Sequence, residues 1–176
     1  KNNAPSLMSL KHRIELIRRL GVDCLIVLEF SPALAKLSAE HFIKNILIAR
    51  LGMKELYVGE NFFFGEGAKA DVSILEGLSR HLGFKAVAVK PIKIKGRIVS
   101  SSLIRSKIIK GEIADAAKFL GRPVSIFGTV VKGDGRGHIL GFPTANINPH
   151  HEVVPPKGVY AVKVLLHSRT YKGVLN

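Results

Sequence analysis

The sequence predicts an α/β domain followed by a smaller all-β domain, and three observations support this division. In the first two-thirds of the 176-residue chain, short apolar runs alternate with segments of helical period, as in strands joined by helical crossovers in a parallel sheet. After Leu120 the helical period ends, and glycine and β-branched residues become frequent, as in antiparallel strands. The break "LGRP" separates the two patterns. We therefore predict one domain over residues 1–121 and a second over residues 122–176.

The helices of the first domain are predicted from their end signals. A hydroxyl or carboxylate side chain before each helix can accept a hydrogen bond from a free backbone N–H, and a glycine near its end tolerates the left-handed conformation. Pro32 also suits a first helical turn. The predicted helices cover residues 9–20, 31–52, 71–83 and 102–120, the last broken at Gly111. The apolar positions expected to face inward are Leu10, Ile14, Ile17 and Leu20 in the first helix, Phe42, Ile43, Ile46 and Leu47 in the second, and Ile74, Leu75, Leu78 and Leu82 in the third.

The strands are predicted from apolar and β-branched runs. "CLIVLEF" (24–30) is continuously apolar up to its end, which is typical of a strand buried on both faces. "ELYVG" (55–59) and "AVAV" (86–89) are the next strands of the parallel sheet, and "IKIKGRIV" reads as a hairpin. In the second domain, "SIFGTVV", "VYAVKVLL" and "TYKGVL" predict antiparallel strands joined by turns.

Composition excludes several classes of protein. A content of 47% hydrophobic and 23% charged residues is that of a folded globular chain, and no apolar run approaches the roughly 18 residues of a spanning helix. Cys24 is the only cysteine, which excludes a disulfide framework and a thiolate metal cluster and fits a reducing cytosol. The first residues have no signal-peptide core. We therefore expect a cytoplasmic protein that neither enters a membrane nor is secreted.

The net charge is the strongest global signal. Lys and Arg number 27 against 13 Asp and Glu, which gives +14 at pH 7. The segment between Gly77 and Gly111 contains many basic side chains and no acidic one. Such a surface attracts anions, but nucleotides, nucleic acid and acidic lipid headgroups all qualify, and charge alone does not choose among them.

The loop "ENFFFGEGAKAD" follows the second predicted strand, where open α/β sheets bind ligands. Three consecutive phenylalanines after Asn61 cannot all face one core. They form either a hydrophobic plug under a loop or an aromatic wall for a flat ligand, with Asn61 bonding to the ligand's edge. The residues leave these two interpretations open.

The segment "SSSLIRSKIIKG" begins the last helix of the first domain. One serine is explained as a helix cap. Three serines in a row, with Arg105 one turn later, are more than a cap requires, and they lie at the positive end of the helix. Free backbone N–H groups, hydroxyls and a guanidinium in one place favour a phosphate group.

The segment "VVKGDGRGHILGFPTANI" combines a glycine-rich loop with a rigid turn. Glycines let a backbone approach phosphates closely, although the spacing is not that of a Walker loop and a long hairpin turn is an alternative. Pro143 fixes the approach to Thr144 and Asn146, which point to the same side of an extended chain. Their oxygens suit Mg²⁺ held mainly by phosphates and water. The candidate residues for ATP are Gly133, Gly135, Gly137, Gly141, Thr144 and Asn146, the last two also for the metal.

Other chemistry is not indicated. The adjacent His150 and His151 point apart and are expected to be solvent-exposed loop residues. No catalytic-triad signature and no carboxylate pair with a convincing spacing occurs.

Taken together, these motifs resemble one family, the prokaryotic bifunctional riboflavin kinase/FMN adenylyltransferases, or FAD synthetases. "VGENFFFGEG" resembles the flavin-side loop, and "VSSSLIR" is similar to the I-S-S-T-x-I-R element, with Ser102 in place of the threonine. "LGRP" resembles the junction of the modules, and "GRGHILGFPTANI" and "PPKGVYAV" resemble the kinase module. The resemblance implies a Rossmann-like nucleotidyltransferase domain followed by an antiparallel, riboflavin kinase-like β-barrel of six strands in Greek-key order.

The resemblance also implies roles and ligands. Ser101, Ser102 and Arg105 would bind ATP phosphates during adenylyl transfer, and Asn61 would contact the flavin or its phosphate. Thr144 and Asn146 would bind Mg-ATP in the kinase module, with residues 133–141 closing over the phosphates. The implied substrates and products are riboflavin, FMN, FAD and ATP, with Mg²⁺ as cofactor and no nucleic-acid partner.

Two departures from the family pattern concern catalytic groups. The H-x-G-H signature does not occur, and we expect it upstream of Lys1. The glutamate that serves as the family's kinase base is expected after "KGVLN". The catalytic residues themselves are therefore unknown.

Two other functions are weighed against this interpretation. A nucleic-acid-binding protein would explain the charge, but neither a helix-turn-helix signature nor an RNP-type aromatic pattern is present. A nucleotidyltransferase with another acceptor would explain the first domain, but it would not need the Pro-Thr-Ala-Asn module.

Overall fold

The computed structural model describes residues 5–139, 141–142 and 144–176. Its helices are α1 (Leu10–Arg18), α2 (Pro32–Ala35), α3 (Ala39–His41) continuing into a π-helix (Phe42–Ile48), a 3₁₀ turn (Glu66–Ala68), α4 (Val72–Leu82), α5 (Ser101–Ile109), α6 (Ile113–Leu120) and α7 (Arg136–Ile139). Its strands are β1 (Glu55–Gly59), β2 (Lys85–Val89), β3 (Lys93–Ile94), β4 (Arg97–Ile98), β5 (Thr129–Val131), β6 (Asn146–Asn148), β7 (Tyr160–Leu166) and β8 (Arg169–Leu175).

The described residues form two compact units. One consists of residues Ile26–Ile98, and the other joins the chain up to Leu25 with residues Val99–Asn176. The division at Gly121, which rests on the change in sequence pattern, stays a prediction.

The unit Ile26–Ile98 is a βαβ arrangement with a small apolar core. Strands β1 and β2 pair in parallel, from Glu55 opposite Lys85 to Gly59 opposite Val89, and α4 is the helix between them. Its buried core consists of Ile43, Val58, Leu75 and Phe84. The predicted parallel pairing of "ELYVG" with "AVAV" is confirmed in this unit. The hairpin β3–β4 is antiparallel, as the sequence predicts.

End signals locate the helices well. Ser9, Ser31, Asp71 and Ser100 each accept a backbone N–H of the first helical turn. Gly83 and Gly121 adopt the left-handed conformation directly after α4 and α6. Gly111, at φ 76°, separates α5 from α6 where the sequence predicts the break.

Some helix predictions were wrong in detail. The segment 31–52 is not one helix, because Ser38 caps a new start three residues after α2 ends. In α1 the buried residue is His12, and Leu10 is 55% exposed, because the buried contact of this helix is with a polar network. Leu20, which was predicted to face inward, lies beyond the end of α1 and is 80% exposed. Ile74 of α4 is also exposed, at 45%, although Leu75 beside it is buried.

The predicted strand "CLIVLEF" was also wrong for this structure. Residues 24–30 have no regular secondary structure, and Cys24 and the residues after it are exposed. A strand needs a neighbour for its backbone N–H and C=O groups, and within the described ranges no strand pairs with this segment.

The other unit carries two antiparallel hairpins. Strands β5 and β6 pair from Thr129 opposite Asn148 to Val131 opposite Asn146, and β7 pairs with β8 over their whole length. His167 and Ser168 form the turn of the second hairpin with φ of 46° and 65°. In the described part of the chain the strands pair two by two and close no barrel.

Candidate functional site

The N-terminal turn of α5 presents the predicted phosphate-binding groups. Ser100 is the N-cap, since its Oγ accepts the Leu103 N–H at 3.2 Å. The hydroxyls of Ser101 and Ser102 are therefore not needed for capping, and both residues are exposed. This arrangement agrees with the expectation that capping accounts for one serine of the three.

Arg105 lies one helical turn after Ser101, on the same face of α5. Its Nε is buried, and within the described ranges no acceptor lies within hydrogen-bond distance of it. A buried donor without a partner costs about 1–3 kcal/mol. The α5 site, defined as Ser101, Ser102 and Arg105, therefore has an unmet requirement for an acceptor, which an anion would supply.

Not every basic residue of this region is available for a ligand. The Nζ of Lys107 lies 2.6 Å from Glu112 Oε2 and 3.5 Å from Asp115 Oδ2. The hydrogen bond with Glu112 raises the pKa of Lys107, although desolvation opposes it. In the other unit, Lys85 similarly pairs with Glu55 at 3.2 Å. The positive charge of this segment is thus partly neutralised by carboxylates of the same chain.

In the aromatic loop of the unit Ile26–Ile98, part of the phenylalanine run belongs to the core and part is exposed. Phe64 packs against the apolar core and bridges to Ala70, and the Phe62 ring stacks on the Phe64 ring with 5.5 Å between centroids. Phe63 is 58% exposed, and Asn61 is exposed as well. Position 65 requires glycine for two reasons. Its φ is 73°, and a Cβ there would lie only 2.8 Å from the Ala39 nitrogen.

The second candidate site, the glycine loop, lies between β5 and β6. Asn146 begins β6, and Thr144 precedes it by two residues. A Cβ on Gly133 would collide with the Asn146 amide, and a Cβ on Gly137 would lie 2.7 Å from Thr144 Oγ1. The structure therefore places two of the four predicted glycines, Gly133 and Gly137, against the two predicted polar side chains.

The rest of this loop requires glycine for its backbone conformation rather than for close packing. Gly135 and Gly141 adopt φ of 72° and 77°, and the Phe142 N–H donates to the Gly137 carbonyl at 2.8 Å. Thr144 and Asn146 are exposed and accessible to a ligand. Pro143, predicted to fix this turn, lies outside the described residues.

A buried polar network in the same unit was missed by the sequence analysis. Glu152 and His12, each 4% exposed, are joined by a 2.8 Å contact between Glu152 Oε2 and His12 Nδ1. His12 Nε2 lies 3.0 Å from Ser125 Oγ. These residues are far apart in sequence and show no motif spacing. The one local signal was Ser9 as a cap, because the same hydroxyl also donates to Glu152.

The interpretation of His150 needs correction. Its Nε2 lies 2.8 Å from Thr129 Oγ1, and its ring contacts the Phe127 ring, so it is partly buried rather than solvent-exposed. His151 is exposed, as predicted.

Groupings typical of metal centres and membrane spans were sought in the described ranges. No cluster of three His, Cys, Asp or Glu side chains there could hold a metal ion. Of the helices that the structure describes, none combines the length and apolar character needed to cross a bilayer. The oxygens of Thr144 and Asn146 are neutral and hard, so they fit Mg²⁺ only where phosphates supply most of its ligands.

Comparison with known proteins identifies two family regions. The FAD synthetase family model matches residues 1–103, and the riboflavin kinase family model matches residues 120–176. Ser101 and Ser102 of the α5 site lie at the end of the first match, Arg105 lies two residues beyond it, and the glycine loop lies in the second match.

Relatives match along almost the whole chain. A "Bifunctional riboflavin kinase/FMN adenylyltransferase" from Buchnera aphidicola is 35% identical over 100% of this chain and 57% of the relative. Its namesake from Haemophilus influenzae is 37% identical over 99% of this chain and 57% of the relative. The chain thus spans somewhat more than half the length of these curated relatives.

A solved structure has a similar fold. The crystal structure titled as a macrolide-efflux protein from Streptococcus pneumoniae superposes with a TM-score of 0.78 at 30% identity, covering 96% of this chain and 54% of that one. Together with the family matches, this likeness leads to one conclusion: the chain belongs to the FAD synthetase family and carries a FAD synthetase domain followed by a riboflavin kinase domain.

Proposed function

We propose that the full protein makes FAD in two steps, phosphorylating riboflavin to FMN at the glycine loop and adenylylating FMN at the α5 site with release of pyrophosphate. The observation that carries the proposal is that groups suited to anions occur at two separate places on one chain. Ser101 and Ser102 end the FAD synthetase match, with Arg105 just beyond it, and the glycine loop lies in the riboflavin kinase match. The names of the relatives supply the two activities. The finer fold, a Rossmann-like domain followed by a closed riboflavin kinase-like barrel, and the division at residue 121 belong to the same proposal.

In the kinase step, the glycine loop binds and positions the ATP phosphates. Gly133 and Gly137 bring the loop backbone against the Asn146 amide and the Thr144 side chain. When Mg²⁺ is bound, Thr144 and Asn146 hold it, and it neutralises phosphate charge. Because phosphoryl transfer depends mainly on positioning and electrostatics, this arrangement contributes by aligning the γ-phosphate with the riboflavin hydroxyl.

In the adenylyl-transfer step, the α5 site binds the ATP phosphates. The free N–H groups of the first helical turn, the Ser101 and Ser102 hydroxyls and the Arg105 guanidinium donate to phosphate oxygens. They favour the extra charge that develops on the pyrophosphate leaving group as the α-phosphate is attacked. Asn61 contacts the flavin or its phosphate beside the aromatic loop.

The test is flavin chemistry on the full-length protein. It is incubated with riboflavin, ATP and Mg²⁺, and riboflavin, FMN and FAD are separated by chromatography with fluorescence detection. FMN followed by FAD is expected. Thr144→Ala should abolish FMN formation while supplied FMN is still converted to FAD. Absence of both products, even from supplied FMN, would overturn the proposal.

The basic surface then serves anionic substrates in the cytoplasm rather than nucleic acid. A salt titration separates these alternatives, because nucleic-acid affinity falls steeply with ionic strength in proportion to the number of phosphate contacts. Binding of a mixed-sequence duplex that persists at physiological salt would favour the nucleic-acid alternative.

A further inference from the structure

The inference concerns the buried network around Glu152, called here the Glu152 network and defined as Ser9, His12, Ser125, Phe127 and Glu152. It joins residues of the FAD synthetase match to residues of the riboflavin kinase match, all within one compact unit. The two steps proposed above do not use it.

Glu152 is held by four donors. Its Oε1 accepts from the Ser9 N–H at 2.8 Å and the Ser9 hydroxyl at 2.6 Å. Its Oε2 accepts from the Phe127 N–H at 3.1 Å and lies 2.8 Å from His12 Nδ1. Its side chain is 1% exposed. Burial raises the pKa of Glu152, but the hydrogen bonds from Ser9, Phe127 and His12 outweigh burial, so its pKa is below the usual value and the group is a carboxylate.

The donors come from both the helix and the hairpin. Ser9 is the N-cap of α1, where the free N–H groups and the helix dipole favour a negative charge. Phe127 lies two residues before the start of β5. Glu152 follows β6 after a turn in which the Glu152 N–H donates to the Pro149 carbonyl. The carboxylate therefore ties the open end of the β5–β6 hairpin to the start of α1.

Backbone pairing and ring contacts strengthen this attachment. Ser6, just before α1, donates its N–H to His151 and accepts from the Val153 N–H, one residue on either side of Glu152. The Phe127 ring stacks at 6.0 Å on the His12 ring. In the hairpin, a Cβ on Gly128 would collide with Ile147, so the two strands have little room to shift.

The position of the ATP-binding residues follows from the register. Thr129 pairs with Asn148 at the held end, and Val131 pairs with Asn146 two residues further along the ladder. A shift of the open end is thus transmitted to Asn146 and to the Gly133 backbone packed against it. We infer that Glu152 is a positioning residue for the kinase site, through which α1 of the FAD synthetase region holds the β5–β6 hairpin and sets the affinity of that site for ATP.

The order Ser125–His12–Glu152 also occurs in serine hydrolases. Here the Ser125 hydroxyl is also the acceptor of Arg122 Nη1 at 3.0 Å, and the carboxylate holds two chain segments. Because the Ser125 hydroxyl and the Glu152 carboxylate are already engaged in these hydrogen bonds, a positioning role is supported.

The test uses the full-length protein and rests on the proposed function. Glu152→Gln keeps the size of the side chain but places an N–H₂ group against the Phe127 and His12 donors. The matched control is Glu15→Gln, an equal charge change on the same helix at an exposed pair with Arg19. The KM for ATP and kcat are measured separately for riboflavin phosphorylation and for adenylylation of supplied FMN.

We expect Glu152→Gln to raise the KM for ATP of the kinase step about tenfold. Effects of this size are typical of residues that orient a binding group without contacting the ligand. Its kcat and the adenylylation constants should change by less than about threefold, and Glu15→Gln should change neither step. A merely destabilised protein would lose active fraction, which lowers apparent kcat without moving KM.

Hydrogen exchange gives a second readout that does not depend on activity. In Glu152→Gln the amides of Val131 and Asn146 should exchange faster, whereas those of β7 and β8 should not. If Glu152→Gln does not fold, His12→Gln replaces it, with a smaller rise in KM expected.

The outcomes separate the two claims. A wild-type protein without kinase activity overturns the proposed function and this inference with it. An active wild type whose KM for ATP and hairpin exchange are unchanged in the variant overturns the inference alone.

Discussion

The α5 site and the glycine loop, the two proposed phosphate sites, are built in different ways. The α5 site consists of neighbouring residues on a nine-residue helix with its own cap, so its groups are placed by local structure. The glycine loop depends on contacts between Gly133 and Asn146 and between Gly137 and Thr144, which exist only once the hairpin has formed. A helical phosphate site is therefore tolerant of distant changes, whereas a loop site responds to whatever holds its strands.

The largest effect is expected from Gly133→Ala. The added Cβ collides with the Asn146 amide, so either the loop or the amide must move. Because a displacement of about 1 Å at a reacting centre can cost 100-fold, we expect a loss of about that size in kinase kcat/KM with adenylylation intact. Gly77→Ala in α4, where the added Cβ meets nothing within 4 Å, is the control and should leave both steps unchanged. Equal losses in both steps would contradict separate sites.

Arg105→Ala is expected to have the next largest effect, on adenylylation alone. Hydrogen bonds to charged groups contribute about 1.5–3 kcal/mol, so kcat/KM with supplied FMN should fall at least about tenfold. Arg105→Lys should rescue it only in part, since an ammonium cannot reproduce the planar fork of donors. Lys110→Ala at the end of the same helix is the comparison. Lost kinase activity in Arg105→Ala would show that the sites are not independent.

The Glu152 network predicts an acid-sensitive kinase region. Because the pKa of Glu152 is lower when folded than when unfolded, its contribution is fully present above the unfolded value of 4.5 and is lost as pH falls through the folded value. Urea unfolding followed by far-UV circular dichroism should give a free energy of unfolding that falls as the pH is lowered through that range. In Glu152→Gln this part of the pH dependence should be absent. An unchanged profile would show that the carboxylate is not stabilising.

The smallest effects distinguish the cap of α5 from its ligand groups. Ser100→Ala removes the hydroxyl that accepts the Leu103 N–H and should lower the free energy of unfolding by about 1 kcal/mol. Ser101→Ala should change stability by less than about 0.5 kcal/mol but raise the KM for ATP in adenylylation. Thermal unfolding together with kinetics checks both. If Ser101→Ala lowered the stability and Ser100→Ala raised the KM for ATP, Ser101 would be the cap and Ser100 the ligand-binding residue.

Sequence reasoning succeeded where structure is local. Helix ends depend on residues within one helical turn, as at the caps Ser9, Asp71 and Ser100 and at the left-handed Gly83. A window of a few residues is therefore enough to predict them. The contacts of Gly133 and Gly137 with Asn146 and Thr144 were anticipated only as a loop near two polar groups. Their pairing depends on the register of β5 and β6.

Sequence reasoning failed where a partner was needed. "CLIVLEF" has every local property of a buried strand, but a strand forms only beside a neighbour that accepts its hydrogen bonds. His12 and Glu152 are 140 residues apart, and neither has a sequence context that marks it as buried. Polar networks of this kind are determined by tertiary packing, so the hydrophobic periodicity of the sequence does not reveal them.

The turn between β7 and β8 has a practical consequence for engineering. His167 and Ser168 both adopt positive φ, a conformation that costs an ordinary L-residue about 1 kcal/mol and costs glycine almost nothing. Asn-Gly is the pair that natural two-residue hairpins favour at such positions. Replacing His167–Ser168 by Asn-Gly should therefore raise the free energy of unfolding, and this change to a surface turn leaves both candidate sites untouched.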